Sequence, residues 1–293
     1  MYNGYSVKVL MFAGRRRFMR INLPYLQRHP LVDEILIGDN VVNPADREWV
    51  MNAHKEFSKV RYIEQMKDYD ELHKANPMLS SLQYWNFYLH AADPSAVYIK
   101  LDDDIVYIGE GCIENMLARR FADQNRLLIY ATTVNNPLAN LLFDKVDLKQ
   151  NDLGEIMYGK FADLEYAVST HRRFLVDPGS FRLESDFEFG SEFTFGLPNH
   201  GLYIRPSINA ICWFGFDMRN WIRLKNKIRF IYDDEQFMCK DLFDVYDMKS
   251  VMIRDAVVCH YSFGSQKGLK EYESEFLPQY AKLMGVDGYT YEG

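Results

Sequence analysis

The first half of the chain alternates short apolar runs with longer amphipathic segments. The apolar runs are bounded by turn-forming residues and predict strands at 7–13, 34–40, 60–64, 96–102 and 126–134. The segments between them have the apolar spacing of helices, which we expect near 17–28, 44–57, 79–92 and 111–122. Pro24 indicates that the first helix is kinked or begins later. This order of elements predicts an α/β fold with a mostly parallel central sheet flanked by helices.

The pattern weakens in the middle of the chain, between residues 144 and 200. The stretch at 177–201, DPGSFRLESDFEFGSEFTFGLPNHG, has no clean period. We expect a long irregular insertion, part helix and part mobile loop, of the kind that forms lids or binding loops. A disordered surface insert is the alternative. Regular patterns then return and predict strands at 207–215 and 250–263, helices at 217–224 and 233–246, and a C-terminal helix.

Composition narrows the classes of function. The chain has 293 residues with 48% hydrophobic positions, and no linker divides it, so we expect a single domain over 1–293. The formal net charge of -7 and the scattered basic residues argue against binding of nucleic acid. The N-terminus does not resemble a secretion signal, and no apolar stretch approaches the roughly 18 residues of a membrane helix. We therefore expect a soluble, cytoplasmic protein, with peripheral membrane contact left open.

The four cysteines are widely separated and lie in apolar surroundings. They do not form a CxxC pair, so a structural zinc site is not expected. We expect reduced core residues in a reducing compartment, at Cys112, Cys212, Cys239 and Cys259.

Three consecutive aspartates follow the fourth predicted strand, in VYIKLDDDIVYI at 97–108. Because side chains alternate along a strand, Asp102 and Asp104 can lean to one side while Asp103 points to the other. In open α/β sheets ligands bind beyond the carboxyl ends of the strands, where these acids lie. Carboxylate oxygens suit Mg²⁺ or Mn²⁺. An isolated DxD is more often an acidic turn, but the apolar strand before it and the sequence IVYI after it favour a metal site here.

A second candidate lies in VVCHYSFGSQKG at 257–268. A predicted strand ends at His260, and a glycine-bearing loop then carries Gln266 and Lys267. Histidine binds Mn²⁺ beside carboxylates, and a lysine on such a loop can neutralise phosphate. Taken alone, this pattern is more typical of a partly buried histidine and a solvated lysine. Together with the aspartates it favours a shared metal site.

Acids also lie at the start of a predicted helix, in YDDEQF. Asp234 and Glu235 complement the dipole of that helix, or one of them accepts the proton of an acceptor hydroxyl as a general base.

An arginine run follows the first strand, in FAGRRRF at 12–18. The fork of an arginine suits a diphosphate, and for each of Arg15, Arg16 and Arg17 a solvated basic turn is the alternative. Trp213 could stack on a sugar, although a core position is the more frequent role of such a residue.

Taken together, the strand followed by DxD, the acids of DDEQ and the late His-Gly-Lys loop resemble the landmarks of GT-A glycosyltransferases, which use a nucleotide-sugar donor and usually Mn²⁺ or Mg²⁺. GRRRFMRINLPYL, DDDIVYI, INAICWFG and VVCHYSFGSQK are similar to a group of glycosyltransferases with little biochemical characterisation. The resemblance covers most of the chain outside 144–200. It implies a GT-A, Rossmann-like domain with a nucleotide-sugar-binding half at 1–134 and an acceptor-side half at 201–293 that completes the metal site.

The resemblance also implies roles for single residues. Asp104 would bind the metal directly, Asp102 would contact the ribose or bind the metal through water, and His260 would bind it from the far side. Donor contacts would come from Arg15, Arg17, Asp102, Asp103, Gln266 and Lys267. Asp234 or Glu235 would be the base of an inverting enzyme, or would position the acceptor or sugar in a retaining one.

The expected activity is metal-dependent transfer of a hexosyl or pentosyl group from a UDP- or GDP-sugar to a hydroxyl of a glycan or other acceptor. One rival is a metal-dependent nucleotidyltransferase or phosphohydrolase that uses the same acids. Another is a non-catalytic carbohydrate-binding module built on a transferase scaffold. The presence of Asp102, Asp104 and His260 counts against that module, since a protein without catalysis could lose them.

Overall fold

A computed structural model of the chain describes most of the residues that form the sheet and its flanking helices. The described residues are 1–41, 43–64, 87–91, 93–145, 160–161, 163–190, 195–196, 203–204, 209–214, 238, 242–246, 248–262 and 266–292.

The described elements alternate between strands and helices in the first half of the chain. The strands are β1 (Ser6–Ala13), β2 (Glu34–Asp39), β3 (Val60–Ile63), β4 (Ala96–Leu101), β5 (Ile105–Ile108), β6 (Ile129–Val134), β7 (Phe187–Phe189), β8 (Phe195–Gly196), β9 (Tyr203–Ile204), β10 (Ala210–Phe214) and β11 (Ser250–His260). The helices are α1 (Arg16–Arg28), α2 (Pro44–Glu56), α3 (Cys112–Ala122), α4 (Pro137–Phe143), α5 (Leu164–Val176), α6 (Leu242–Tyr246) and α7 (Glu273–Leu283). Short 3₁₀ turns lie at Leu89–Ala91, Pro178–Ser180 and Lys267–Tyr272.

Nine of these strands form one mixed sheet in the order β3-β2-β1-β4-β10-β6-β11-β5, with β7 also paired to β11. Strands β1, β2, β3, β4, β6 and β11 run in one direction, and β5, β7 and β10 run against them. Strands β8 and β9 form a separate pair. The predicted α/β class with a mostly parallel central sheet is therefore confirmed.

Both faces of the sheet are buried, as a continuous apolar strand pattern requires. Alternate residues of β1 belong to opposite apolar clusters, with Val9 on one face and Leu10 on the other. Helices α1, α3, α5 and α7 contribute to the first cluster, and α4 and α6 contribute to the second. Every residue of β4 is buried, including Lys100.

The helix and strand boundaries agree closely with the sequence prediction in the first half of the chain. Helix α1 begins at Arg16 and includes Pro24, so of the two alternatives for this helix the later start was wrong and the kink stays a prediction. The C-terminal helix begins as the 3₁₀ turn before α7. The predicted helices near 79–92 and at 217–224 lie largely or wholly outside the described residues, as does most of the one at 233–246.

The insertion at 144–200 contains regular structure where it is described. Helix α5 buries Phe174 and His171, and β7 pairs antiparallel with β11 in the central sheet. Residues 163–190 are therefore part of the core fold and not a disordered surface insert. Cys112, Cys212 and Cys259 are buried and free, as expected, and Cys239 lies outside the described residues.

Candidate active site

Three strands of like direction end at one edge of the sheet and bring the candidate residues together. Gly14 and Arg15 follow β1, the three aspartates form the turn between β4 and β5, and His260 is the last residue of β11. The Tyr261 backbone N–H donates to the Asp104 carbonyl over 2.9 Å, which joins the end of β11 to this turn. The predicted position at the carboxyl edge of the sheet is therefore confirmed.

Asp102, Asp104 and His260 form a compact group of potential metal ligands. Each offers one atom, and these atoms lie within 4.8 Å of one another. His260 Nε2 lies 3.0 Å from Asp104 Oδ2, and the two side chains are only 5% and 2% exposed. The sequence prediction that these three residues meet is confirmed.

The donor set fits a hard divalent cation. Within the described part of the chain, no hydrogen-bond donor reaches Asp104 Oδ1, although this oxygen is buried. A buried carboxylate oxygen without such a partner is costly unless a cation satisfies it. The 3.0 Å between Asp104 Oδ2 and His260 Nε2 is about the separation of neighbouring ligands around an octahedral ion with bonds of about 2.1 Å. Two carboxylates and an imidazole can therefore hold Mg²⁺ or Mn²⁺ here.

Asp103 has a different set of partners. Its Oδ2 accepts from the Gly14 backbone N–H over 2.9 Å, and its Oδ1 lies 2.6 Å from Arg15 Nη2. A Cβ at Gly14 would lie 3.1 Å from that Oδ2, so glycine permits the close approach. The side-chain amide of Asn22 in α1 donates to the Asp103 backbone carbonyl over 2.9 Å, which anchors the aspartate turn to this helix.

Arg15 neutralises two of the three aspartates. Besides contacting Asp103, its Nη2 lies 3.0 Å from Asp104 Oδ2. Burial acts to lower the pKa of Arg15, but the aspartates outweigh it and raise the pKa above its ordinary value. Burial likewise acts to raise the pKa of Asp104, but His260 and Arg15 outweigh it and the pKa falls below its ordinary value. Both groups are therefore charged at neutral pH.

Asp102 is held by two residues that the sequence analysis did not single out. Lys100 Nζ forms an ion pair with Asp102 Oδ1, and the Asn209 side-chain amide donates to Oδ2. The Asn209 carbonyl also accepts from the Asp102 backbone N–H over 3.0 Å. Arg15 and Lys100 are thus the cations that contact the three carboxylates, and burial raises the pKa of Asp103 although Arg15 acts to lower it.

A buried polar network fixes the segment that carries His260. The Asn135 amide donates to the Tyr261 carbonyl over 2.7 Å, and His171 Nε2 lies 2.8 Å from the same oxygen. The Gln266 side chain exchanges two hydrogen bonds with Asn135 and donates to the Phe161 carbonyl over 3.0 Å. Contact of Gln266 with a donor stays a prediction, and its amide already has these protein partners.

The other candidate residues from the sequence either contact other parts of the protein or lie outside the described residues. The guanidinium of Arg17 turns to Glu273, with Nε 2.8 Å from Oε2, and not to the aspartate turn. Trp213 is a fully buried core residue stacked on Tyr98. The Lys267 backbone begins a 3₁₀ turn, but its side chain lies outside the described part of the structure, as do Asp234 and Glu235.

Among the missed residues, only Lys100 had a usable sequence signal. It lies two positions before Asp102 and therefore on the same side of the strand. Asn209, Asn135 and His171 come from other elements, and their contacts depend on strand pairing and helix packing that sequence patterns do not specify.

Comparison with known proteins gives distant structural likenesses. No protein-family model matches the chain, and no curated protein matches it in sequence. A solved structure described as a mycobacterial protein is 12% identical, with 97% of this chain and 76% of that one covered and a TM-score of 0.44. The synthetase of CMP-2-keto-3-deoxy-manno-octonic acid, solved with CTP, is 9% identical over 96% of this chain and 98% of its own, with a TM-score of 0.41.

A third likeness is to glucosyl-3-phosphoglycerate synthase from Mycobacterium tuberculosis, solved with Mn²⁺, UDP-glucose and phosphoglyceric acid. It is 12% identical over 52% of each chain, with a TM-score of 0.34. At these scores the function has to be argued from the residues of this chain. The described helices include none with the length and apolar character needed to cross a membrane.

Proposed function

We propose that this protein is a metal-dependent glycosyltransferase that moves a sugar from a nucleoside-diphosphate sugar to a hydroxyl group. The observation that carries the proposal is the meeting of Asp102, Asp104 and His260 at the carboxyl edge of the sheet. These residues would hold Mn²⁺ or Mg²⁺, and the resemblance to GT-A enzymes in the sequence motifs points to the same use. A divalent ion held there neutralises the diphosphate that departs with the nucleotide.

The charge of the site supports binding of an anionic donor together with a cation. Arg15 and Lys100 partly offset the charge of the aspartate cluster, and a divalent ion bound there would make the site more positive. The site then attracts a diphosphate, and the diphosphate in turn strengthens retention of the ion. We therefore propose that metal and nucleotide bind with positive coupling.

The other donor and acceptor roles remain part of the proposal. Arg15 lies beside the candidate metal ligands and can offer remaining donor capacity to the diphosphate. Lys267 would neutralise the leaving nucleotide, and Asp234 or Glu235 would take the proton of the acceptor hydroxyl in an inverting reaction. Arg17, Asp103 and Gln266 would contribute to donor binding only by exchanging partners that they contact within the protein.

Calorimetric titration tests the proposal directly. UDP and GDP should bind only with Mn²⁺ or Mg²⁺, and Asp104→Asn should reduce the affinity at least tenfold because one ligand charge is lost. Asp33→Asn is the matched control, since Asp33 precedes β2 at the opposite edge of the sheet and accepts from the Val7 backbone N–H. If no nucleotide binds with metal-dependent affinity, the proposal is wrong.

The products distinguish the rival activities. A glycosyltransferase incubated with a panel of nucleotide-sugars should release nucleoside diphosphate by slow donor hydrolysis. Release of nucleoside monophosphate together with a sugar phosphate would instead identify a phosphohydrolase. Formation of nucleoside triphosphate and sugar phosphate on addition of pyrophosphate would identify a nucleotidyltransferase. Glycan binding that is unchanged in Asp104→Asn, without turnover, would identify a carbohydrate-binding module.

A further inference from the structure

A cleft of about 340 Å³ opens beside the first turns of α1 and α2. It is also lined by residues at the start of α7 and on either side of that helix. We call it the arginine cleft because its lining includes Arg16, Arg17, Arg20 and Lys270. Three acidic side chains also line it, those of Asp46, Glu273 and Glu292. The protein as a whole carries a formal charge of -7, so this concentration of cations is local.

Two of the arginines hold one carboxylate between them. Arg16 Nη2 lies 3.2 Å from Glu292 Oε2, and Arg20 Nη1 lies 2.8 Å from Glu292 Oε1. Glu292 belongs to the irregular segment after α7, and its side chain is 56% exposed. Breaking such an ion pair costs little free energy when the carboxylate is exposed and lies on an irregular segment. Glu292 therefore marks a position where an anion is recognised but is weakly retained.

Aromatic rings fix the two arginines that hold this anion. The Arg16 guanidinium lies over the Trp49 ring at 5.7 Å from its centroid, and that of Arg20 lies over the Tyr289 ring at 5.6 Å. Such stacking restricts the guanidinium groups before any ligand arrives, which lowers the entropy cost of binding. The two forks are thus arranged in advance for an oxyanion.

Arg17, the third arginine of the cleft, pairs with a different carboxylate from the one that Arg16 and Arg20 hold. Arg17 pairs with Glu273, which is 2% exposed and also accepts from the Tyr291 hydroxyl over 2.9 Å. Arg16 and Arg20 therefore hold the Glu292 carboxylate, and Lys270 lines the same cleft. The first turn of α1 contains no acid, but the Asp46 carboxylate of α2 accepts from the Arg16 backbone N–H over 3.4 Å and offsets part of the helix dipole.

We propose that the arginine cleft binds a phosphate group of a ligand, and that the Glu292 carboxylate occupies its place in the ligand-free protein. A phosphate offers more oxygens than a carboxylate to two guanidinium forks and an ammonium group, and it carries more charge. The inference does not rest on the metal site, because none of the candidate metal ligands lines the cleft.

The test is calorimetric titration with inorganic phosphate at constant ionic strength in the presence of EDTA, so that no divalent ion contributes. The wild-type protein should bind phosphate, and Arg20→Gln should weaken binding by about tenfold or more, as expected for loss of a charge-assisted contact. Glu292→Gln should strengthen binding several-fold because the internal competitor is removed. Asp104→Asn should leave phosphate affinity unchanged, which separates this cleft from the metal site.

Arg172→Gln is the matched control for the loss of an arginine. Arg172 forms an exposed pair with Glu275, with Nε 3.1 Å from Oε1, outside the cleft. It should leave phosphate affinity within about twofold of the wild-type value. Equal affinity in wild type, Arg20→Gln and Glu292→Gln, or no phosphate binding in any of them, would overturn the proposal.

A second titration identifies the source of the phosphate group. If phosphate and metal–UDP bind at the same time, the cleft serves a phosphate on a second ligand. If each excludes the other and both depend on Arg20, the cleft serves the donor nucleotide. Both results support a phosphate site, whereas metal–UDP binding that removes phosphate affinity without any effect of Arg20→Gln would contradict it.

Discussion

His260 Nε2 lies 3.0 Å from Asp104 Oδ2 in a part of the structure where both side chains are almost completely buried. These residues come from strand ends far apart in the sequence, and β11 reaches the aspartate turn because it pairs antiparallel with β5. The His260 backbone itself is in register with Ile105, the first residue of β5. The pairing of these two strands thus determines whether the candidate metal ligands meet.

Arg15 is expected to stabilise the fold by compensating the buried aspartates. Arg15→Gln leaves Asp103 and Asp104 without their shared cation and should lower the free energy of unfolding by about 2–3 kcal/mol, less than for a fully buried pair because Arg15 is partly exposed. Urea unfolding at pH 7 without divalent ions measures this. Adding Mn²⁺ should restore more stability to Arg15→Gln than to the wild type, since the ion replaces the missing charge.

Arg61→Gln serves as the control for Arg15. Arg61 pairs with Glu34 on the surface, with Nε 3.0 Å from Oε1, and its loss should cost less than about 1 kcal/mol. Equal destabilisation of the two variants, or an equal response of both to Mn²⁺, would argue against charge compensation by Arg15.

Asn135 is expected to hold the backbone beside His260. It is fully buried, its amide donates to the Tyr261 carbonyl, and its φ of 58° is in the left-handed region. Asn135→Gly should cost about 2–3 kcal/mol through the lost hydrogen bonds, and Asn135→Ala about 1 kcal/mol more because alanine is strained at this φ. Both variants should also weaken metal-dependent UDP binding.

Unfolding and UDP titration of the two Asn135 variants separate backbone strain from the loss of the amide. If glycine and alanine destabilise equally, the left-handed backbone has no energetic role. If UDP affinity stays at the wild-type value in both, Asn135 does not position the His260 segment.

Stability should fall on mild acidification because of His171. Burial lowers the pKa of His171 to about 4, from 6.5 in an unfolded chain. The unfolded chain therefore binds more protons between these values, so the contribution of neutral His171 is present above pH 6.5 and is lost as the pH falls towards 4. This residue alone should remove about 2 kcal/mol between pH 7 and pH 5.

Urea unfolding of His171→Gln at both pH values isolates that contribution. The variant should lose less stability than the wild type on going from pH 7 to pH 5, whatever its absolute stability. His54→Gln, which removes an exposed histidine of α2, is the control for the loss of a histidine. The same pH dependence in His171→Gln and wild type would rule out this origin.

The sequence predicted which residues lie at the strand ends, but it did not predict which side chains contact one another there. Period-two alternation correctly separated Asp103 from Asp102 and Asp104, and a strand end correctly located His260. The aspartates were expected to attract a metal, and within the chain they already contact Arg15 and Lys100. Local patterns show which residues lie at an edge, because periodicity is a local property.

Contacts across the sheet could not be predicted in the same way. Asn209 reaches Asp102 because β10 inserts antiparallel between β4 and β6, and no local pattern specifies that order. The directions of Arg15 and Arg17 were equally open, since Arg15 precedes α1 and Arg17 lies in its first turn: Arg15 turns to Asp103 and Arg17 to Glu273. Helix α5 agrees with the helical part expected within the 144–200 insertion, whereas β7 has only three residues and is too short to give a strand pattern.

The central claim is that Asp104 and His260 bind one divalent ion together with a nucleotide. Pulsed electron paramagnetic resonance of Mn²⁺ in the protein–UDP complex tests it most directly, because it detects a nitrogen bound to the metal. We expect a histidine nitrogen signal in the wild type that is absent in His260→Gln and retained in the His54→Gln control. A bound Mn²⁺ without any histidine nitrogen signal, or with one that persists in His260→Gln, would contradict it.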